Sequence, residues 1–347
     1  ALYFAIGGRK TQSGLYRIVY RGELDEKAKP STVDKKTEKL VALRKRLESF
    51  HVGEPKPQAI RMALRNLGNA DRGVRFAARI ALEHQPVEKW KGRIESIEDP
   101  NARALAVIAL ARTGSPEDKT LAMSTLKSCD WESMSDEGRI ALLRAYALVA
   151  IRFDGFDAVQ SQQVQQQIAN RFPTGNDNLD RELSQMLVYI ESPEATGKIV
   201  SALLDAPSQE NQIFYALTLR GVRDGWNEDL YRDYFNWFNR VQSARGGMSF
   251  GGFINNIKNA AVANLPGEAK AKLAEVLNAK TGADETTEQR AFVKKWTVDE
   301  LLETAGDSKR TPDFDNGKSV FAAAQCYNCH RMGIQGGILG PDLTGAG

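Results

Sequence analysis

The sequence predicts an all-α protein built from consecutive paired helices, with a short β-hairpin before them and a distinct segment after them. Three observations lead to this prediction. Apolar residues recur at three- and four-residue steps over most of residues 57–280, which is typical of helices with one buried face. An internal repeat runs through the same region. Residues 1–22 and 313–347 follow neither pattern.

The composition is that of an ordinary globular protein, with 42% apolar and 26% charged residues among 347. The net charge of +3 comes from 47 basic and 44 acidic side chains. So small an excess gives no reason to expect a nucleic acid or an anionic membrane as the main partner. No run of 18 apolar residues occurs, so no transmembrane segment is predicted.

The N-terminal segment contains two β-rich runs, "ALYFAIGG" and "GLYRIVY", joined by the polar turn "GRKTQS". A lone two-stranded hairpin is only marginally stable in water, so these strands are expected to belong to a larger sheet outside this sequence. The chain opens inside an apolar strand without an initiator Met, and we interpret both of its ends as cuts. The charged stretch "GELDEKAKP" is interpreted as a linker.

A helix is expected to open at Ser31 and Thr32, with Asp34 closing a capping box on Ser31. An apolar stripe follows on one face of this helix, formed by Leu40, Leu43, Leu47 and Phe50.

The internal repeat is clearest in "DRGVRFAARIAL" (71–82) and "DPNARALAVIAL" (99–110), with a weaker copy in "DEGRIALLRAYAL" (136–148). In the first two, an Asp is placed to cap the helix start, and small Ala residues allow neighbouring helices to approach closely. Such helix pairs bury their apolar faces by stacking on one another. The pattern resembles HEAT repeats, which implies an α-solenoid.

Two later stretches complete the helical region. The glycine-rich "ARGGMSFGGF" (244–253) is predicted to be an inter-helix loop, with a packing surface for another domain as the alternative. "TTEQRAFVKKWTVDELLETAG" is predicted to be a helical connector. An aromatic run, predicted to pack in the core, precedes them and consists of Tyr231, Tyr234, Phe235, Trp237 and Phe238.

The segment most informative about function is Cys326-Tyr327-Asn328-Cys329-His330. Covalent haem attachment needs two thiols spaced to meet the two vinyl groups, and a His directly after the second thiol to reach the iron. The spacing therefore predicts thioether bonds at Cys326 and Cys329 and makes His330 the proximal iron ligand.

Three alternatives remain open from the residues alone. The motif is also half of a zinc site, for which Cys129, His51, His84 and carboxylates are the other candidate ligands. A CxxC redox couple is the second alternative, although no βαβ pattern surrounds it. The third is a loop without a cofactor. Cys129 is otherwise expected to be a partly buried small hydrophobe, and the two histidines are expected at helix C-termini.

Downstream, "GILGPDLTG" resembles the corresponding loop of class I cytochromes c. In that family the proline carbonyl accepts a hydrogen bond from Nδ1 of the proximal histidine, which here implies Pro341 as the partner of His330. The distal ligand is unknown: Met332 is too near His330 to reach the opposite haem face, and Met248 is a remote candidate. The family's distal Met usually lies further downstream.

The order of parts resembles large multidomain proteins of Planctomycetes and Verrucomicrobia, in which a sugar-dehydrogenase-like β-propeller precedes HEAT-like repeats and a C-terminal cytochrome c domain. "LYFAIGGRKTQSGLYRIVY", "YFNWFNRVQSARGGMSFGGFINNIKNAA" and "GKSVFAAAQCYNCHRM" with "GILGPDLTG" carry the resemblance. It implies a β-hairpin from a propeller over 1–22, a linker over 23–30, a HEAT-like domain over 31–280, a helical connector over 281–312 and a truncated cytochrome c domain over 313–347.

The resemblance further implies electron transfer through haem c within an extracytoplasmic, periplasmic-type dehydrogenase. Electrons would come from a substrate oxidised in the propeller and leave to a redox partner protein or respiratory acceptor. The residues present predict no catalytic group of their own, and whether so short a cytochrome segment retains haem stays open. The alternative functions are an α-solenoid scaffold that binds proteins, and a degraded sensor domain that binds haem without passing electrons.

Overall fold

The computed structural model describes the following residues: 2–8, 11–19, 21–22, 34–241, 244, 249–279, 294–305, 313–332, 335–336 and 340–344. Within them the chain is mostly helical, with a two-stranded antiparallel sheet near its N-terminus, as predicted. The chain divides into two compact units, residues 1–85 and 86–347. The predicted domain borders stay predictions, and most of the residues predicted as linker and connector lie outside the described ranges.

The N-terminal hairpin pairs β1 (Leu2–Gly8) with β2 (Thr11–Ile18). The register runs from Leu2 opposite Ile18 to Gly8 opposite Thr11, with an irregularity between Ile6 and Gly8. The predicted six-residue turn was therefore too long, because Thr11–Ser13 already belongs to the second strand. Polar residues there pair through their backbone, which a prediction from side-chain pattern does not detect.

Three helices complete the first unit: α1 (Lys35–Glu48), α2 (Pro57–Asn66) and α3 (Arg72–Glu83). The predicted capping box on Ser31 was wrong in its position. Asp34 is itself the N-cap, and its carboxylate accepts hydrogen bonds from Lys36 N and Thr37 N at 2.8 and 2.9 Å. Ser31 and Thr32 lie outside the described residues. The apolar stripe is confirmed at its C-terminal end, where Leu47 and Phe50 are buried.

The second unit contains the remaining α-helices, which are α4 (Pro100–Thr113), α5 (Lys119–Lys127), α6 (Asp136–Arg152), α7 (Ala158–Ile168), α8 (Asp177–Tyr189), α9 (Ala195–Asp205), α10 (Gln209–Leu219), α11 (Glu228–Val241), α12 (Phe250–Ala263), α13 (Gly267–Lys272), α14 (Ala274–Asn278), α15 (Val298–Ala305) and α16 (Phe314–Ala323). Short 3-10 turns link some of them, at Val87–Lys89, Lys91–Arg93, Pro116–Asp118, Trp131–Ser133, Ala169–Arg171 and Cys326–Asn328. Two-residue strands at Arg331–Met332 (β3) and Gln335–Gly336 (β4) pair antiparallel near the C-terminus.

Helices two apart in the chain pack on one another in the second unit. Helix α4 packs against α6, α6 against α8, and α8 against α10, while α5 packs against α7 and α9 against α11. Small residues make the α4–α6 contact close, since eight residues of α4 are buried and five of these are alanines. This packing supplies the buried apolar face of each helix, from which helices in proteins gain most of their stability.

The predicted Asp caps are confirmed. Asp71 accepts a hydrogen bond from Val74 N at 2.8 Å, and Asp99 accepts one from Asn101 N at 2.9 Å. Each satisfies one of the backbone donors that a helix start leaves unpaired. In the third copy the helix starts at Asp136, and its cap is the preceding Ser135.

Core packing is also confirmed for most of the aromatic run on α11, since Tyr234, Phe235, Trp237 and Phe238 are buried. Tyr231 is less covered, and its ring stacks on Trp226 with centroids 4.6 Å apart.

Two predictions about the later helical region were wrong in part. The glycine-rich stretch was predicted as a loop to residue 253, but α12 begins at Phe250, so two of its glycines are helical. The connector is not one continuous helix either, because residues 294–297 have no regular structure before α15 begins at Val298. Residues 245–248, 280–293 and 306–312 lie outside the described ranges.

None of the helices in the described part of the chain combines the length and the apolar character needed to cross a bilayer.

Candidate functional site

The candidate site begins with α16, whose start is capped by Asp313 through a 2.9 Å hydrogen bond from Asn316 N. The helix ends near Gln325, which has a left-handed backbone with φ of 59° and turns the chain sharply. Phe321 on this helix meets the ring of Tyr327 edge-on, with centroids 4.8 Å apart. This aromatic pair attaches the turn that carries the cysteines to the helix before it.

One tight turn holds both cysteines and the histidine. The backbone N–H groups of Cys329 and His330 both donate to the carbonyl oxygen of Cys326, at 3.2 and 2.8 Å. Both thiols are free, with Cys326 half-buried and Cys329 exposed. The turn therefore presents two accessible sulfur atoms immediately before an imidazole.

The imidazole of His330 is oriented by Pro341. Its Nδ1 lies 3.0 Å from the carbonyl oxygen of Pro341. A carbonyl oxygen can only accept, so this hydrogen bond places the proton on Nδ1 and leaves Nε2 as the nitrogen with a free lone pair. A metal-binding histidine needs one nitrogen fixed by an acceptor in this way and the other open.

Residues 340–344, here called the strap, are joined by backbone hydrogen bonds to the residues that precede and follow His330 in the chain. Gly340 N donates to Cys329 O at 2.7 Å, and Leu343 N donates to Arg331 O at 2.8 Å. Asp342 forms a parallel bridge with Arg331, and their charged side chains approach to 3.7 Å. The strap and the CxxCH turn therefore form one small hydrogen-bonded unit.

The donor set of this unit fits haem c. Two free thiols and one imidazole with an available Nε2 are the groups that hold a covalently attached haem. On the adjacent helix, Phe314 is 73% exposed and Val320 is 42% exposed. The role of each residue toward a haem stays a prediction.

The other candidate ligands from the sequence lie in different surroundings. His51 and His84 stack in the first unit with ring centroids 6.1 Å apart, and Nε2 of His51 lies 2.8 Å from Ala77 O. Cys129 is buried in the second unit, where its Sγ lies 3.5 Å from Thr125 O and burial raises its pKa to about 11. In the described ranges, no group of three or more His, Cys, Asp or Glu side chains is placed to hold a metal ion.

The distal ligand stays unknown. Met332 lies in strand β3, two residues after His330, and is half-buried. Met248 lies outside the described residues.

Three features of this site are not predicted by the sequence. They are the contact of the Tyr327 ring with Phe321, the pairing of Arg331 with Asp342, and the hydrogen bond from Gly340 to Cys329. The first lies inside the CxxCH motif, whose spacing concerns the cysteines and the histidine and gives no information about the ring of Tyr327. The other two depend on the return of the strap, which has no periodic pattern to reveal it.

Comparisons of the chain with protein-family models, with curated proteins and with solved structures found no match.

Proposed function

We propose that this chain carries a covalently attached haem c and takes part in electron transfer. The observation that carries the proposal is the arrangement at His330. Its Nδ1 is hydrogen-bonded to a proline carbonyl eleven residues away, and two free cysteines precede it at haem-attachment spacing. A redox dithiol explains the two sulfur atoms but gives no reason for the orientation of the histidine. A zinc site would use that orientation too, but no group of three or more His, Cys, Asp or Glu side chains in the described ranges is placed to hold a metal ion.

Each group has a distinct part in this proposal. Cys326 and Cys329 would hold the haem through thioether bonds to its vinyl groups, and Nε2 of His330 would bind the iron from one side. The Pro341 carbonyl would keep Nδ1 protonated and increase the electron density that the imidazole gives to the metal. When bound, haem c supplies a reversible one-electron couple whose potential depends on axial ligands, hydrogen bonding and burial.

We further propose that the helices of the second unit form a HEAT-like α-solenoid that links two redox modules. The repeated Asp-capped, alanine-rich helices and the contacts between helices two apart support this reading. The solenoid would connect the cytochrome segment to a β-propeller of the same longer protein.

The hairpin at the N-terminus supports the presence of such a β-rich partner. Both of its faces carry exposed apolar side chains, with Leu2 at 65% and Leu15 at 75% exposure on opposite faces. A two-stranded ribbon with two uncovered apolar faces needs further strands or another layer to be stable. A sugar-dehydrogenase-like propeller would supply them, and haem attachment would place the protein outside the cytoplasm.

A second function is favoured by one observation. A groove between α6 and α8 is lined by Leu143, Ile151, Met186 and Tyr189, and Ile151 is 72% exposed. Apolar grooves of this kind suit protein partners, which supports a scaffold role for the repeat domain.

A redox titration of the protein produced with cytochrome c maturation factors tests the proposal. We expect a haem absorption spectrum that changes reversibly with one electron. Matured protein without haem would remove the electron-transfer function and leave the scaffold. Haem without a reversible couple would favour a haem-binding sensor instead.

A further inference from the structure

Gly340 lies directly against the imidazole of His330. A Cβ atom added to Gly340 would stand 2.7 Å from Cε1, 2.8 Å from Nδ1 and 3.1 Å from Nε2 of that ring. Non-bonded heavy atoms of this kind normally stay about 3.5–4.0 Å apart. Any side chain at position 340 would therefore need the ring or the backbone to move.

The backbone has little freedom to move away. The N–H of Gly340 itself donates to Cys329 O at 2.7 Å, one residue before the histidine. One residue after the histidine, Arg331 O accepts a hydrogen bond from Leu343 N at 2.8 Å. Retreat of the strap would break these hydrogen bonds, so the ring of His330 is the part that would be displaced.

Displacement of the ring changes its chemistry, because its Nδ1 would leave the Pro341 carbonyl. That 3.0 Å hydrogen bond is what selects the tautomer with the proton on Nδ1. Without this hydrogen bond, either ring nitrogen can carry the proton, and Nε2 no longer has its lone pair free in every molecule.

We infer that Gly340 is a positioning residue, whose missing side chain lets His330 keep the Nδ1–H tautomer and present an unprotonated Nε2. The part of this inference that concerns iron rests on the proposed function. The tautomer is a property of the chain alone and can be measured before any haem is attached.

The test uses the full chain without haem, labelled with ¹⁵N histidine. The sequence contains only three histidines, so their ring signals separate readily in long-range ¹H–¹⁵N spectra. The signals of His330 are identified as those that disappear in a His330→Gln variant. At about pH 9, well above the usual range of histidine titration, these spectra report which nitrogen carries the proton. We expect Nδ1 to carry it at His330 in the wild type.

Gly340→Ala is expected to lower the ratio of Nδ1–H to Nε2–H at His330 by about two- to tenfold, the ratio that corresponds to one hydrogen bond of ordinary net strength. Gly317→Ala is the matched control. Gly317 lies in α16, and its added Cβ would meet no atom within 4 Å, so the ratio should not change.

Asp342→Ala separates a steric effect at the ring from general loosening of the strap. It removes the carboxylate that accepts from Thr344 N at 2.9 Å and faces Arg331, but it adds no atom near the ring. We expect His330 to keep Nδ1–H as the major form in this variant.

Three outcomes would overturn the inference: an Nε2–H majority in the wild type, an unchanged ratio in Gly340→Ala, or an equal loss in Asp342→Ala. Haem attachment is measured separately, from the intact mass of matured protein. A wild type without haem would remove the proposed function and leave the tautomer result standing.

Discussion

The Nδ1 atom of His330 and the carbonyl oxygen of Pro341 lie 3.0 Å apart, although eleven residues separate them in the chain. A contact at this sequence separation requires the chain to return, and the strap returns to residues 329 and 331 through two backbone hydrogen bonds. Contacts within the chain itself therefore hold the imidazole in place. Such preorganisation lowers the cost of fixing a ligand when binding occurs.

Removing the two thiols of the turn tests their role in attachment. We expect Cys326→Ala together with Cys329→Ala to abolish covalent haem, because no thioether bond can then form. Cys129→Ala is the control. Cys129 is 3% exposed and burial raises the pKa of its thiol to about 11, so the thiol stays protonated and away from solvent. Denaturing mass spectrometry of matured protein measures the covalently attached haem in the wild type, the double variant and Cys129→Ala. Haem retained by the double variant would contradict the assignment.

Gly138 on α6 packs directly against the side chain of Asn101 on α4. A Cβ at Gly138 would overlap Asn101 Oδ1, an atom that also accepts hydrogen bonds from Ser135 N and Oγ at 3.2 Å. Gly138→Ala is therefore expected to destabilise the second unit by about 1–3 kcal/mol, the usual cost of overpacking. Denaturant unfolding followed by circular dichroism measures it.

Gly197→Ala is the matched control for this substitution. Gly197 also lies in the first turn of its helix, α9, but the nearest atom to an added Cβ is Leu230 Cδ1 at 3.9 Å. Here alanine should be neutral or stabilising by up to about 1 kcal/mol, because glycine is the poorer helix former. A loss of stability equal to that of Gly138→Ala would show that close packing at Asn101 is not the cause.

Asp118 should make the free energy of unfolding of the second unit depend on pH. Burial alone would raise the pKa of Asp118, but hydrogen bonds from Lys91 Nζ at 2.8 Å and Ser115 N at 3.1 Å hold the pKa below its ordinary value. A carboxyl group whose folded-state pKa is lowered stabilises the fold above its unfolded pKa, near 4, and loses this contribution as pH falls through the folded value.

Asp118→Asn is therefore expected to cost about 2 kcal/mol at pH 7, the scale of a charge-assisted hydrogen bond. The difference from the wild type should shrink as the pH falls below about 4. Unfolding free energies measured from pH 7 to pH 2 give the comparison, and a constant difference over that range would argue against the lowered pKa.

Tyr234 combines burial with a polar partner in the aromatic cluster of α11. Its hydroxyl donates to Ala216 O at 2.8 Å, and the residue is 1% exposed. Tyr234→Phe should cost about 1 kcal/mol by leaving that carbonyl without this donor. Tyr189→Phe, at a residue 49% exposed, should change stability by less than about 0.5 kcal/mol, and equal losses would contradict the assignment.

The sequence was sufficient to predict those features that depend on residues close together in the chain, such as helix caps and buried helix faces. Asp71 and Asp99 cap helices because a carboxylate before a periodic apolar run has few other uses. The buried face of α11 follows in the same way from its spacing. Helix boundaries were predicted less well, since the helix expected to open at Ser31 has Asp34 as its N-cap.

The site was predictable only where local sequence determines it. Cys326, Cys329 and His330 form a short motif whose spacing favours haem attachment, and Pro341 was predicted from a family resemblance. The contact of Gly340 with the ring of His330 depends on the path of the strap, which no local pattern encodes. Because glycine has no side chain, its residue type gives no indication of this role in the sequence.

The central claim is that Cys326 and Cys329 attach a haem whose iron is bound by His330, and the intact mass of the chain tests it most directly. The chain would be produced with and without a cytochrome c maturation system and analysed under denaturing conditions. We predict a gain of one haem with the maturation system only, accompanied by a Soret band. An unchanged mass in the presence of the maturation system would contradict the account.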